Sequence, residues 1–206
     1  MQSTRETEGG HQKVSPAESD AARPPILVSS AHMPPNLQPT LVGDLVIVRP
    51  LRKQDWREMF AAASDPLIWE LHPKRDRYKE QVFKEFFAEA IDTKSAFAFV
   101  EKKTTSIIGS SRYYGYEPQR SEIEIGWTFL IRKHWGGATN REVKKLMLDH
   151  AFTFVNTVVF WVGEQNWRSQ RAMEKIGGIR RDGLAFRPSG GAPHVVFEIT
   201  RANYRL

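Results

Sequence analysis

Residues 132–155 read RKHWGGATNREVKKLMLDHAFTFV and follow an apolar run that ends Phe129-Leu130-Ile131. Val143, Met147, Ala151 and Phe154 recur at helical spacing, with Leu146 and His150 alongside, which predicts a helix beginning near Asn140. Gly136 and Gly137 free the backbone to turn sharply between strand and helix, and let another molecule approach it closely. The first turn of the helix then presents unpaired N–H groups and the positive end of its dipole. Strand, glycine turn and helix N-terminus are the parts of an anion cradle. Two familiar cradles do not fit. Gly137 is followed by Ala138-Thr139-Asn140, not by the Lys-Ser/Thr of a P-loop, and a dinucleotide fingerprint needs a third glycine.

Around this turn lies a chain of 206 residues, 40% hydrophobic, with 12 Phe and 6 Trp, enough for one domain with a sizeable core and a tail. No apolar run approaches the ~20 residues of a membrane span, so no membrane partner is expected. The absence of cysteine excludes a disulfide scaffold, a thiol nucleophile and Cys-ligated zinc. The six histidines are scattered without a His-x-x-x-His pair, so no metal site is expected. A formal charge of +6 favours anionic partners: nucleic acid, an acidic surface or a phosphorylated cofactor.

Residues 1–40 hold six of the twelve prolines among Ser, Gly and mixed charges without periodicity. Such a segment buries too little apolar surface to offset its ordering entropy, and it is expected to be a disordered N-terminal tail. It has no apolar stretch of the secretory kind, and its four acidic residues argue against a transit peptide, so the expected location is the cytoplasm.

The folded domain is expected over residues 41–206. Leu45–Val48 predicts a strand and Lys53–Ala63 a helix. Asp65-Pro66 can cap and start a short second helix, and Val82, Phe83, Phe86, Phe87, Ala90 and Ile91 form the stripe of a third. Strands are predicted over Ala96–Val100, Ile107–Tyr114, Ile123–Ile131 and Val158–Val162. A helix over Arg168–Ile176 ends at Gly177-Gly178, and strands Ile179–Phe186 and Val195–Thr200 flank the loop RPSGGAP. The helical crossover between strands Ile123–Ile131 and Val158–Val162 requires that they run parallel, whereas the preceding meander is antiparallel. The fold class is therefore α/β, a mixed central sheet with helices on both faces.

Lys133, Gly136 and Ala138 resemble motif A of the GNAT N-acetyltransferases: a basic or Gln residue, two residues, Gly, one residue, then Gly or Ala. A second stretch, VGEQNWRSQRAMEKIGG over residues 162–178, resembles motif B, with Asn166, Ser169 and Gly177 in its Asn, Ser/Ala and Gly places. Ile123–Gly126 (IEIG) and Val48-Arg49-Pro50-Leu51 with Asp55 downstream also match. The resemblance covers roughly Leu41 to Arg205. It is closest to the branch of ribosomal-protein N-terminal (alanine/serine) acetyltransferases, given Trp135-Gly136 with Asn140, Ala151-Phe152 and Asn166-x-x-Ser169.

The resemblance implies the GNAT acyl-CoA N-acyltransferase fold. Strands Ile123–Ile131 and Val158–Val162 would splay so that acetyl-CoA, the cosubstrate, threads between them, with Phe129, Leu130 and Ile131 facing the pantetheine. Its pyrophosphate would rest on the amides of Gly136, Gly137, Ala138, Thr139 and Asn140, with Lys133 adding charge. Asn166 would hydrogen-bond the pantetheine arm. Lys133 can also be read as a solvated charge, and Asn166 as the cap of the helix that follows. The stripe Arg168, Arg171, Lys175, Arg180 and Arg181 is open to three readings: a contact to the adenosine 3′-phosphate, a nucleic-acid contact or a solvated face.

The implied reaction is attack of an amine on the thioester, which needs a neutral amine, oxyanion stabilisation and a proton for the departing thiolate. Glu122 and Glu124 share one strand face. Glu124, beside the Ile-Gly, is the candidate base, with Glu122 or a water chain as alternatives. The family's frequent tyrosine acid, seven residues after the motif-B Asn, is Met173 here, and Ser169 becomes the candidate acid, a helix-capping role being its alternative. The acceptor is expected to be a peptide N-terminus or a small-molecule amine. A weakly placed base favours an α-amine, pKa about 7.8, over a Lys amine at about 10.4. A non-catalytic acyl-CoA-binding or nucleic-acid-binding module on the same fold is the alternative function. Nucleic acid is otherwise not expected as a partner, and the chain is expected to be a monomer or homodimer.

Overall fold

The computed structural model describes residues 34–188 and 190–205. The tail expected over residues 1–40 lies outside the described residues as far as residue 33. Residues 36–38 already lie on the domain, ahead of the expected start at Leu41. Asn36 O meets His150 Nε2 at 2.8 Å, Gln38 Nε2 donates to Ala96 O, and Leu37 packs against the core.

The strands are β1 (Leu41–Val42), β2 (Val46–Pro50), β3 (Ala96–Glu101), β4 (Ile107–Glu117), β5 (Glu122–Leu130), β6 (Thr157–Gly163), β7 (Ile179–Arg180) and β8 (His194–Thr200). They form one sheet in the order β1-β2-β3-β4-β5-β6-β8-β7. Helices α1 (Trp56–Ala63), α2 (Glu80–Asp92), α3 (Ala138–Ala151) and α4 (Trp167–Lys175) complete the frame. Asp65 accepts from Leu67 N–H at the short 3₁₀ turn Pro66–Ile68, the expected capped start.

The β5–β6 pair is parallel and every other pair in the sheet is antiparallel. Side-chain alternation divides the apolar residues between two faces. On one, α3 and α4 set Val143, Met147 and Met173 against Phe97, Ile123, Ile125 and Phe160. On the other, Met59 of α1 and Phe83, Phe86 and Phe87 of α2 join Trp69 against Ala96, Ala98 and Phe129. Tyr113 is buried in the first cluster with its hydroxyl donating to Met147 O at 2.6 Å, which pins α3 to the sheet.

One expectation needs correction. The strand expected over Ile179–Phe186 pairs only at Ile179 and Arg180, plus an isolated bridge Ala185–His194. Gly183 turns there with φ +77°, and the Arg181 side chain is drawn to Glu122 and Glu198. Half-buried Glu142 of α3 also reaches across to the sheet. Its carboxylate accepts from the N–H groups of Asp44, Leu45 and Val46 at 2.8–2.9 Å and ties the β1–β2 turn to α3. Glu142→Ala is therefore expected to lower the unfolding free energy by about 2 kcal/mol in a urea titration, since each lost bond is partly replaced by water. A change too small to resolve would show that the turn holds without α3.

Candidate active site

The parallel ladder between β5 and β6 is short. Glu122 pairs with Thr157, Ile123 with Val158 and Glu124 with Val159, and beyond Glu124 the strands no longer pair. Each strand is held on its outer side instead, β5 by β4 and β6 by β8. Between them opens a fork. Just past its apex β5 carries a bulge: Ser110 faces Phe129 and Arg112 faces Gly126, so Ser111 stands opposite both Trp127 and Thr128. Trp127 takes φ +52°, a region a bulky residue adopts only when its surroundings over-determine it. They do. The Arg112 guanidinium lies 3.8 Å from the centroid of the Trp127 ring and Tyr114 packs at 5.0 Å. Ser111 Oγ bonds both Gly126 O and Thr128 Oγ1, which locks the other side.

At the open end of the fork stands the glycine turn. Gly136 has φ +66°, and nothing lies within 4 Å of where its Cβ would be. Gly137 is the N-cap of α3 in extended backbone, with only His134 O at 3.8 Å from a built Cβ. The helix starts at Ala138, slightly before the expected Asn140. Two adjoining cavities of ≈ 470 and ≈ 170 Å³ run from this turn to the β5 side of the fork, at Thr128–Leu130, and share Gly136, Asn140, Lys144, Arg168, Ala172 and Met173. The larger is also lined by Arg141, Arg171 and Lys175, and no carboxylate lines either. An open turn, a helix N-terminus and a ring of cations suit a large anion.

The other end of the site is a cavity of ≈ 760 Å³ lined by Glu122, Glu124 and Trp127 of β5, Val159 and Trp161 of β6, and the 181–188 segment. Glu124 is only 4% exposed and is gripped by the Arg187 guanidinium, whose two terminal nitrogens reach its carboxylate oxygens at 2.5 and 2.7 Å. The same guanidinium sits 4.6 Å from the ring centroids of Trp127 and Trp161. Burial pushes the Glu124 carboxyl above the usual range, against the opposing pull of Arg187. Glu122 is engaged by Arg181 and Arg120.

The sequence-derived residues fall into place unevenly. Gly136, Gly137, Asn140, Phe129, Leu130, Asn166 and Ser169 all line the two cavities beside the fork. Ala138 and Thr139 open α3 but are not among the lining residues, and Ile131 packs against the cores. Lys133 does not reach the cradle, because its Nζ turns to Glu101 at 3.3 Å. Asn166 does cap α4, its Oδ1 accepting from Ser169 N–H at 3.1 Å, which leaves its amide NH₂ for any ligand. Of the basic stripe, Arg168, Arg171 and Lys175 belong to the cavity beside the cradle, whereas Arg181 lies on the Glu122 side. Arg168 also stacks 4.1 Å over Trp135, whose Nε1 donates to Leu130 O. Arg187 and Lys144 were missed. Arg187 sits in a loop that carries no periodicity, and Lys144 looks like one of a solvated Lys-Lys pair.

This fold with this fork defines an acyltransferase architecture, and comparison agrees. The chain belongs to the GNAT N-acetyltransferase family: the model of the acetyltransferase (GNAT) domain matches residues 46–179. No curated protein matches it in sequence. Among solved structures it is similar to a GCN5-related N-acetyltransferase from Brucella melitensis (18% identity, TM-score 0.71, covering 81% of this chain and 80% of that one). It is also similar to Mycobacterium smegmatis RimJ in complex with CoA-disulfide (19%, TM-score 0.62, 82% and 91%). A third is the spermidine N-acetyltransferase from Vibrio cholerae in complex with CoA and spermine (16%, TM-score 0.60, 79% and 99%). At these identities the likeness is one of fold. The family uses acetyl-CoA, and the cleft fits it: a Cβ-free turn for the pyrophosphate, cations beside it, and a smaller continuation along β5.

Gly137→Glu tests that fit without backbone strain, since Gly137 has φ −91° and open space around it. Acetyl-CoA should raise the melting temperature of the parent chain by mass action, and the variant should fold as before but lose that rise. An undiminished shift in the variant would remove the cradle from the binding site.

Proposed function

We propose that the chain transfers the acetyl group of acetyl-CoA to a primary amine by direct attack on the thioester, and that the acceptor is a peptide N-terminal α-amine in preference to a small-molecule amine. The observation that carries this reading is the fork itself. It joins a cationic cleft, suited to the cosubstrate, to a carboxylate-bearing cavity on the far side, and the bulge at Trp127 stands between them. The cosubstrate supplies an acetyl group activated as a thioester. The chain's residues bind, orient and move protons. Gly136, Gly137 and Asn140 hold the anionic end, aided by Arg168, Arg171 and Lys175. The bulge turns the backbone at Trp127 and Thr128 out of the regular ladder near the apex, where a developing oxyanion needs N–H donors.

Glu124, at the floor of the far cavity, is the base for the incoming amine. Burial raises its pKa and so makes it a stronger base than a free carboxylate, but its carboxylate is engaged by Arg187 at both oxygens. A base so engaged serves best when the acceptor is already partly neutral, which an α-amine of pKa about 7.8 is and a lysine of about 10.4 is not. On the cosubstrate side Ser169, which lines the cleft, is the candidate to hydrogen-bond the sulfur as it departs, although a hydroxyl is a poor proton donor.

Thiol release from acetyl-CoA, measured against peptides with free or blocked N-termini, polyamines and lysine, decides the acceptor. The highest kcat/KM is expected for free α-amines, and turnover confined to polyamines or lysine would overturn that choice. Ser169→Ala is expected to lower kcat by ~10–1000-fold with acetyl-CoA affinity little changed. A kcat within twofold of the parent would leave Ser169 a structural residue of the first turn of α4.

A further inference from the structure

Lys144 is a lysine on a helix face whose other buried residues are apolar. It lies on α3, two turns past the glycine cradle, and is only 5% exposed. Its neighbours along the buried face of the helix, Val143, Met147 and Leu148, are apolar. Its Nζ meets a single hydrogen-bond partner among the described residues, Thr128 Oγ1, at a long 3.4 Å, and lies 5.0 Å from the centroid of the Phe160 ring. No carboxylate among the described residues pairs with it. An ammonium with three donors, buried without a counter-charge, destabilises the fold, and a methionine or leucine would fill the position at no such cost. Its surroundings say what it faces. Thr128 is on β5 and Phe160 on β6, both beyond the last parallel pair, so the ammonium stands between the parted strands. It borders both cavities of the cosubstrate cleft, together with Met173.

We propose that Lys144 is a catalytic residue of the acetyl transfer, its ammonium contacting the thioester sulfur and giving its proton to the departing CoA thiolate. The proposal rests on the acetyl-transfer reading above and supplies the acid that Met173 cannot be and Ser169 is poorly suited to be. In the balanced step the amine nitrogen bonds to the acetyl carbon and the carbon–sulfur bond breaks with its electron pair going to sulfur. Sulfur takes a proton from Lys144 Nζ, and the new amide nitrogen gives up a proton to the base. Solvent then returns a proton to Lys144, so that thioester and amine become thiol and amide.

The electrostatics fit this role. Burial lowers the Lys144 pKa to about 8, close to the thiol range and far better matched to a thiolate than an ordinary lysine at about 10.4. The charged or titratable groups bordering the same space are Arg141 from α3, Arg168, Arg171 and Lys175 from α4, and His72, which burial holds neutral at about 3. None of these is an acid that would fix the proton on Lys144.

The test compares wild type with Lys144→Met and Lys144→Arg. Methionine suits the apolar surroundings, so Lys144→Met should fold and melt no lower than the parent. Its affinity for CoA by calorimetry should stay within about threefold, while kcat for thiol release falls ~10–1000-fold. In wild type kcat should fall as pH rises through about 8, where the ammonium loses its proton. That alkaline limb should be absent in Lys144→Met, and in Lys144→Arg, whose charge persists. Lys144→Met with kcat within twofold of wild type, or with the alkaline limb unchanged, would overturn the proposal alone. Wild-type chain that binds acetyl-CoA but releases no thiol with any acceptor would overturn the acetyl-transfer reading and this proposal together.

Discussion

Everything in the site follows from the parting of β5 and β6 after Glu124. A sheet that opens in its middle leaves backbone donors and acceptors without partners, an expensive state inside a protein. The fold sustains it because each strand is secured on the opposite edge: β6 pairs with β8 along its whole length, and β5 stays with β4 through the bulge. The bulge is itself buttressed, with Arg112 and Tyr114 against the Trp127 ring and Ser111 tied to Gly126 and Thr128. The unpaired stretch is thus a built recess, bordered by β4 on one side and β8 on the other.

Charge is distributed to match. The cations Arg141, Arg168, Arg171 and Lys175 gather where α3 begins and α4 packs, and only Arg168 among them meets a carboxylate, Glu70. The carboxylates Glu122 and Glu124 lie on the other side of the fork, held by Arg120, Arg181 and Arg187. The cationic side suits an anionic cosubstrate, whereas on the other side each carboxylate is already matched by arginine. Lys144 lies between, on the cosubstrate side.

Much of this was legible in the sequence. The order of elements, the crossover that makes β5 and β6 parallel, and the glycine turn before α3 all follow from local pattern, because helical and strand periods and turn residues act over a few residues. Asn166 and Ser169 were legible as a pair since capping geometry is local too. What escaped depends on distance in the chain. Lys133 sits at the motif position for an anion contact, yet Glu101, remote in sequence, takes its charge. Arg187 lies in a glycine- and proline-rich loop, and only the tertiary fold sets it between two indoles that come from β5 and β6. The burial of Lys144 shows only once Thr128 and Phe160 close around it; in sequence it is half of a Lys-Lys pair.

The sheet also separates two apolar clusters, one built with α3 and α4 and the other with α1, α2 and Trp69. In evolutionary terms the molecule is modular without being divided into modules. Substitutions in the 181–188 segment, which lines the Glu122–Glu124 cavity and neither of the other two, can reshape that side while the packing that shapes the cosubstrate cleft stays intact. One scaffold of this kind can then acquire new acceptors by drift on a single face, retaining an inherited donor chemistry on the other.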